Sequence, residues 1–341
     1  MAKAIKQPSG KWKACVYDYT DVDGRKHQKA FTASTKKEAE FLAAQYKLNR
    51  KMEESAVCRL TYQEALEAYI DSRTSILSPA TIREYRRSCH RGFDNLRKKR
   101  ICDITQKDIQ RAVNKEAETH APKTVRNLHG LLTAVMGVYR PDFAIHTDLP
   151  KKIRPKLYIP SDEEVKLILD YARERDPDME LAILLAAFGP MRRSEISALE
   201  SCHITENVVH VVQAMVLDDN KKWVIKKPKS YAGDRYITFP DFVIEKLQGR
   251  TGRVVPLTPG VITNRFRKML KRADVEHFRF HDLRHYSASI QHALGIPDAY
   301  IMQRGGWGND AVLKSVYRHA MEEKERAANE KINDYFSDLM N

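Results

Sequence analysis

The residues with the clearest chemical potential lie between His281 and Tyr317. His281-Asp282-Leu283-Arg284-His285 sets a histidine and an arginine three positions apart, a spacing that puts both on one helix face and lets them address one anion. Gly305-Gly306-Trp307-Gly308 follows, then Val316-Tyr317-Arg318-His319, whose phenol can be brought to the same point. Upstream, Gly189-Pro190 breaks an apolar segment running from Leu181 to Leu199 and opens a new helix at Met191-Arg192-Arg193-Ser194-Glu195. Arg192 then falls in a first turn, where the helix terminus already favours an anion, and Glu195 is placed to orient it. Alone, such a pair is an ordinary surface ion pair, and a lysine at a hairpin tip, such as Lys229, ordinarily faces only solvent. His281 and His285 also have the i, i+4 spacing of a zinc metalloprotease helix. Two features oppose that reading: Asp282 is shorter than the usual glutamate base, and Arg284 would set a fixed positive charge beside the metal.

The elements that must carry these residues follow from pattern. Trp12, Ala14 and Val16 alternate with Lys13, Cys15 and Tyr17, a turn is expected at Asp21-Val22-Asp23-Gly24, and a further strand runs from Arg25 to Phe31. This predicts a hairpin or three-stranded sheet, with Tyr17 and Tyr19 read as core residues. Ala39, Leu42, Ala43 and Tyr46 then predict a helix over Thr35 to Arg50, capped by Thr35 with Glu38. From Cys58 to Pro150 the pattern is helical, with starts at Leu60-Thr61-Tyr62, Ser78-Pro79, Thr105 and Ala121-Pro122. Arg83, Arg86, Arg87 and Arg91, followed by Arg97-Lys98-Lys99-Arg100, give this part a basic stripe suited to a phosphate backbone. Pro150-Lys151-Lys152-Ile153-Arg154-Pro155-Lys156 is a stiff basic connector. Beyond it Ser161 and Glu164 cap the first helix of the last domain. A hairpin is expected from Val208–Val216 and Trp223–Lys227 around Asp218-Asp219-Asn220, then a strand from Tyr236 to Phe239.

At 341 residues the chain has room for two or three domains. Its net charge is +14, and residues 1–57, 58–150 and 151–341 contribute +5, +5 and +4. Basic balance in every part fits a long polyanion touched by all of them, DNA or RNA, better than a small acidic substrate. The five cysteines, Cys15, Cys58, Cys89, Cys102 and Cys202, show no CxxC spacing and read as reduced cytosolic thiols with no disulfide or zinc framework. The apolar run Leu181 to Phe188 is too short to span a membrane, and the N-terminus lacks a signal-peptide core, which predicts a cytoplasmic protein.

Together the motifs resemble the tyrosine recombinases of the phage integrase family. Arg192-Arg193-Ser194-Glu195 is similar to that family's Arg-x-Ser-Glu box, Lys229-Ser230 with Gly233-x-Arg235 to its lysine hairpin, and His281-Asp282-Leu283-Arg284 to its His-x-x-Arg box. Gly306-Trp307 replaces the commoner Gly-His, Tyr317 falls at the nucleophile's place, and Pro190 stands where the family usually has glycine. The resemblance implies a multidomain α+β fold in four parts. These are an arm-type DNA-binding sheet-and-helix domain at 1–57, a helical core-binding domain at 58–150, a basic linker at 151–160, and a mainly α catalytic domain with a small antiparallel sheet at 161–341. It implies a site-specific DNA recombinase working through a 3′-phosphotyrosine, with catalytic Arg192, Lys229, His281, Arg284, Trp307 and Tyr317. An indole donates but cannot exchange protons, so Trp307 is expected to bind the phosphate. No cofactor or metal is implied. The implied partners are double-stranded DNA with core-type and arm-type sites, a homotetramer on that DNA, and a host bending protein or excisionase. The C-terminal helix expected from Glu322 to Leu339, with Ala327, Ile332, Tyr335 and Phe336, would dock on a neighbouring subunit. Rival functions are a topoisomerase of the same chemistry and a DNA-binding regulator without catalysis.

Overall fold

The computed structural model describes residues 3–20, 25–153, 158–228, 231–309 and 333–338. The chain divides into two compact units, residues 1–77 with 81–154, and residues 78–80 with 155–341. The expected turn at Asp21–Gly24, part of the basic connector, Lys229, Tyr317 and most of the expected C-terminal helix lie outside the described residues; residues 333–338 are helical.

The first unit opens with an antiparallel sheet of β1 (Ile5–Lys6), β2 (Trp12–Thr20) and β3 (Lys26–Ala33). Helix α1 (Lys36–Val57) packs on it through Ala39 and Ala43, which meet Ala4, Ala14 and Ala33 in a core of small side chains. The strand alternation is as read, but Tyr17 is 48% exposed. It shares the outer face with Lys13 and Cys15, opposite the face from which Trp12, Ala14 and Val16 turn to the core, so the core assignment of Tyr17 is corrected. Next come α2 (Tyr62–Asp71), α3 (Pro79–Cys89), the single turn α4 (Asp94–Arg97), α5 (Gln106–Thr119) and α6 (Pro122–Tyr139). Thr61 with Glu64 and Thr105 with Asp108 form reciprocal capping boxes, which satisfy backbone N–H groups that the first turn leaves without partners. Leu66, Ile70, Leu96, Ile109, Leu132 and Val135 lie at the centre of one apolar core. Much of the basic stripe is locally paired, Arg86 with Asp71 at 3.0 Å, Arg97 with Asp94 at 2.8 Å and Arg100 with Asp103 at 2.8 Å.

The expectation of unpaired thiols fails at one place. Cys58 and Cys102 form a disulfide across a sequence separation of 44, with Cα atoms 5.1 Å apart. The cause is a backbone clamp that spacing cannot reveal. Tyr62 N–H donates to the Lys99 carbonyl at 2.9 Å and Ile101 N–H to the Leu60 carbonyl at 2.8 Å, bringing the two segments alongside each other. Closing a loop of that length removes about 4 kcal/mol of unfolded-chain entropy.

In the second unit α7 (Asp162–Arg175) begins at the expected Ser161–Glu164 capping box. Helix α8 (Pro177–Phe188) is buried on almost every side from Met179 to Ala187 and forms the axis of the largest core. The one-turn helix α9 (Arg193–Ile196) follows. Strands β4 (Ile204–Thr205) and β5 (Val208–Val211) come next, then the hairpin of β6 (Ala214–Leu217) and β7 (Trp223–Lys226), and then β8 (Arg235–Thr238). The strand expected over Val208–Val216 is therefore two strands in two sheets, β5 lying between β4 and β8 while β6 pairs with β7. The break falls at Gln213, whose side chain donates to the Ala198 carbonyl at 2.6 Å and turns the chain from one sheet toward the other. Helices α10 (Asp241–Leu247), α11 (Pro259–Arg272), α12 (Asp282–Ala293) and α13 (Asp298–Gly305) complete the described unit. Helix α12 packs along α8. Among the described residues no helix is long and apolar enough to cross a membrane.

Candidate active site

The Gly189-Pro190 break sets the first arginine. Gly189 is required because a Cβ there would enter the ring of Phe239. The Pro190 carbonyl accepts a hydrogen bond from Arg284 Nη1. Arg192 sits at the N-cap of α9. Its Nη1 donates to Glu195 Oε1 at 2.6 Å, its backbone N–H to Glu195 Oε2 at 2.9 Å, and its Nη2 to the Gly306 carbonyl at 3.0 Å. That last bond joins residues 114 positions apart and ties the first arginine to the turn before Trp307.

Helix α12 brings the second arginine inward. Arg284 is 1% exposed, and its guanidinium carbon lies 4.0 Å from the centre of the Trp307 ring. The indole thus presents its face to the cation, a contact that strengthens when both groups are desolvated. Its N–H had been read as the functional group; the stacking adds a positioning role. Burial first, then the charge of Arg192, works against the Arg284 cation. A guanidinium keeps its proton in spite of this, so the site carries an unmet demand for an anion. Arg284 Nη2 is buried with no hydrogen-bond partner among the described residues, which is where such an anion would be received.

His281 stands at the start of α12 with a solvent-exposed edge. Packing around its ring, then the neighbouring His285 and Arg284, lower its pKa to about 4, leaving it neutral and able to accept a proton at neutral pH. His285 meets it edge to face at 4.9 Å, and burial likewise brings the His285 pKa to about 4. Asp282 is committed elsewhere, accepting from Arg279 N–H at 2.7 Å and from Arg279 Nη2 at 2.6 Å. It therefore has no free oxygen for the metalloprotease base role. Among the described residues no group of three or more His, Cys, Asp or Glu side chains is placed to hold a metal.

Arg192, His281, Arg284 and Trp307 thus converge in the second unit, while Lys229 and Tyr317 lie outside the described residues. Sequence reasoning left Arg235 without a task of its own. The structure places its Nη2 on Glu195 Oε2 at 2.9 Å. The signal was present, since strand alternation puts Arg235 on the same buried face as Ile237. Beside the site, Arg193, Arg267, His277 and Arg279 line a cavity of about 530 Å³ that also reaches Arg192 and His281. Its charge suits a nucleic-acid backbone.

Residues 161–324 match the model of the phage integrase family. An integrase of Saccharopolyspora erythraea is 28% identical over 131 residues, covering 32% of this chain and 30% of that relative's length. A XerC-like tyrosine recombinase of Caldanaerobacter subterraneus is 24% identical over 93% of this chain and 94% of its own. Among solved structures, the Tn1549 transposon integrase in complex with transposon right-end DNA aligns with a TM-score of 0.66 at 16% identity, over 80% of this chain and 100% of that one. A lambda integrase from a tetramer bound to a Holliday junction aligns with a TM-score of 0.60 at 16% identity, over 91% and 96%. At such identity these likenesses establish the fold alone: a sheet-and-helix start, a helical part and a mainly helical domain with small antiparallel sheets.

Two measurements follow from this geometry. Trp307→Ala should lower unfolding free energy in denaturant by about 4 kcal/mol, whereas Trp307→Phe, which keeps an aromatic face over Arg284, should cost less than about 2 kcal/mol; equal losses would deny the stacking its role. His285, 6% exposed, should govern acid sensitivity. Its imidazole binds a proton near pH 6.5 when unfolded and only near 4 when folded, so the unfolded chain holds more protons between those values. Stability is then unaffected above about pH 6.5 and falls as pH drops toward about 4. Thermal melts across that window should show the slope, and His285→Gln should reduce it, leaving the part due to His281, whose pKa is also lowered to about 4.

Proposed function

From a chain that belongs to the phage integrase family of tyrosine recombinases through its residues 161–324, we propose a site-specific DNA recombinase that cuts and rejoins strands through a 3′-phosphotyrosine. The observation that carries the reading is the pairing of two guanidiniums, Arg192 and Arg284, beside neutral His281, with Arg284 Nη2 buried and unpartnered. A scissile phosphodiester supplies the missing anion. Charge grows on its nonbridging oxygens as the transition state forms, and two fixed fork-shaped cations stabilise that charge without rearranging. The Tyr317 oxygen attacks phosphorus after giving its proton to His281. The bond from phosphorus to the 5′ oxygen breaks, and Lys229 protonates the leaving oxygen. The tyrosyl ester conserves the phosphodiester, so a 5′ hydroxyl from another strand reverses the steps and seals a new junction. No nucleotide or metal is needed for that balance.

The DNA-bound integrases of the same fold support duplex DNA as the partner, and the lambda tetramer supports assembly of several copies. Within this reading residues 1–57 engage arm-type sites, residues 58–150 grip the core site, 151–160 link them to the catalytic part, and accessory bending or directionality proteins act on the arms. The place of action is the bacterial cytoplasm, at the nucleoid. The C-terminal segment from Glu322 docks on a neighbouring subunit; of its apolar set, Tyr335 and Phe336 are exposed among the described residues.

Tyr317→Phe should bind DNA as the native chain does and form no covalent adduct on a nicked suicide duplex, and an adduct that persists would remove Tyr317 from the nucleophile's place. Arg192→Ala and Arg284→Ala should each slow adduct formation by about 10² to 10³, the loss typical of a transition-state donor; unchanged rates would refute the clamp. Removing the residues after about Arg326 should weaken synapsis in gel-shift assays but leave single-site binding intact. Full recombination by that truncation would exclude the docking role.

A further inference from the structure

One buried cation has no part in the steps above. Arg235 opens β8 with its side chain 2% exposed. Its guanidinium is held at three points, Nη2 on Glu195 Oε2 at 2.9 Å, Nε on the Arg304 carbonyl at 2.8 Å and Nη1 on the Gly233 carbonyl at 3.2 Å. These anchors come from three parts of the site: the carboxylate beside Arg192, the end of α13 just before Gly305-Gly306-Trp307, and the turn that follows Lys229. Gly306 seals the arrangement. Its φ is +66°, and a Cβ there would meet the Ala232 carbonyl oxygen and the Arg235 side chain.

The consequence lies in how Glu195 is shared. A carboxylate facing a single guanidinium tends to accept two parallel N–H bonds from it. Here Oε1 receives Arg192 Nη1, while Oε2 receives Arg235 Nη2 and the Arg192 backbone N–H. With Oε2 occupied, the Arg192 side chain is held to Glu195 through one nitrogen, and its Nη2 turns to the Gly306 carbonyl. Among the described residues the remaining N–H groups of its fork have no partner. Charge follows the same division: burial raises the Glu195 pKa, but Arg235 and then Arg192 outweigh it and keep the carboxylate ionised. One anion shared by two cations leaves the site net positive where a phosphate must sit. Arg235 also disfavours the charge of Arg284, and a buried cation that works against its neighbour is poor evidence of a purely stabilising role.

We infer that Arg235 is a positioning residue for strand transfer: by occupying one oxygen of Glu195 and tying the Gly233 and Arg304 carbonyls together, it prevents Arg192 from closing on Glu195 and keeps it presented to the phosphodiester. The inference rests on the phosphotyrosyl-transfer reading.

The test uses the full chain and a nicked suicide duplex built on the attachment core taken from the repeat flanking the encoding element. The duplex is made with either an ordinary phosphodiester or a methylphosphonate at the scissile position. The methylphosphonate lacks one nonbridging oxygen and its charge, so it needs the arginine clamp less. Arg235→Gln should slow adduct formation about 100-fold on the phosphodiester with DNA affinity changed less than about 3-fold, and the deficit should shrink below about 10-fold on the methylphosphonate. In a Glu195→Gln background, where Arg192 has no carboxylate to close on, Arg235→Gln should add less than about 3-fold. Arg235→Lys, which keeps the charge but not the fork, should fall between. Equal losses on both substrates, a parallel loss of DNA binding, or unfolding of both variants at the assay temperature would overturn the inference and make Arg235 structural. A native chain that forms no adduct on either duplex would instead sink the strand-transfer reading; a native adduct with unimpaired Arg235 variants sinks only the positioning role.

Discussion

The carboxylate of Glu195 is the point at which this catalytic unit balances its charge. It is buried, and it is held by Arg192 from one side and Arg235 from the other. Removing two opposite charges from water costs several kcal/mol per ion, and their attraction offsets this only where geometry is good and the remaining donors are satisfied. Here the donors are satisfied by backbone. Arg235 reaches the Arg304 and Gly233 carbonyls, Arg192 reaches the Gly306 carbonyl, and Arg304 itself donates to the Phe188 and Thr238 carbonyls at 2.9 Å. The ion cluster therefore fastens the end of α8, strand β8 and the end of α13 to one another. A site made this way holds its cations in place before any ligand arrives.

Such rigidity depends on the apolar frame behind it. Helix α8 is apolar over its buried length apart from Glu180, which pairs with Arg173 and Lys246, so packing holds it on nearly every side, and α12 lies along it. The Gly189-Pro190 break at the end of α8 turns a carbonyl toward Arg284, and Phe239 fills the space that a side chain at Gly189 would need. The Arg284 guanidinium is thereby held between a carbonyl and an indole face, with Nη2 unpartnered. The proline that departs from the family pattern does not disturb this, because the contact is made by its carbonyl and needs no N–H.

Much of this was legible in the sequence and some of it was not, for definable reasons. His281 and Arg284 could be picked out by residue type and local spacing, whereas Arg192 and Trp307 stood out only through the resemblance of their motifs. The helix starts at Thr61 and Thr105 and the capping box at Ser161 were likewise readable from residue type and local spacing. Contacts made to backbone carbonyls far along the chain leave no such trace. Arg235 bonds a carbonyl 69 positions away, and Cys58 meets Cys102 through a backbone pairing of two loop segments that no cysteine spacing encodes. Tyr17 misled because aromatic strand residues are usually core, whereas strand alternation puts it on the face opposite Trp12, Ala14 and Val16. The long strand expected after Val208 divides near Gln213, whose side chain bonds the Ala198 carbonyl 15 positions away, a contact that spacing does not reveal.

In the strand transfer proposed for this chain, the same charge balance bears on the order of events. In the free protein His281 is neutral and Arg284 lacks an anion, and in both cases burial acts first and neighbouring positive charge adds to it, Arg284 on His281 and Arg192 on Arg284. A phosphodiester seated at Arg284 Nη2 relieves both at once. It pairs with the guanidinium, and its negative charge raises the proton affinity of the nearby imidazole. His281 thus becomes a better proton acceptor when the scissile phosphate is present, which is when a tyrosine has reason to lose its proton. On this logic the cations that stabilise the transition state also hold the base in check until DNA is bound, and the separate role of Arg235 is to keep Glu195 from neutralising Arg192 before that happens.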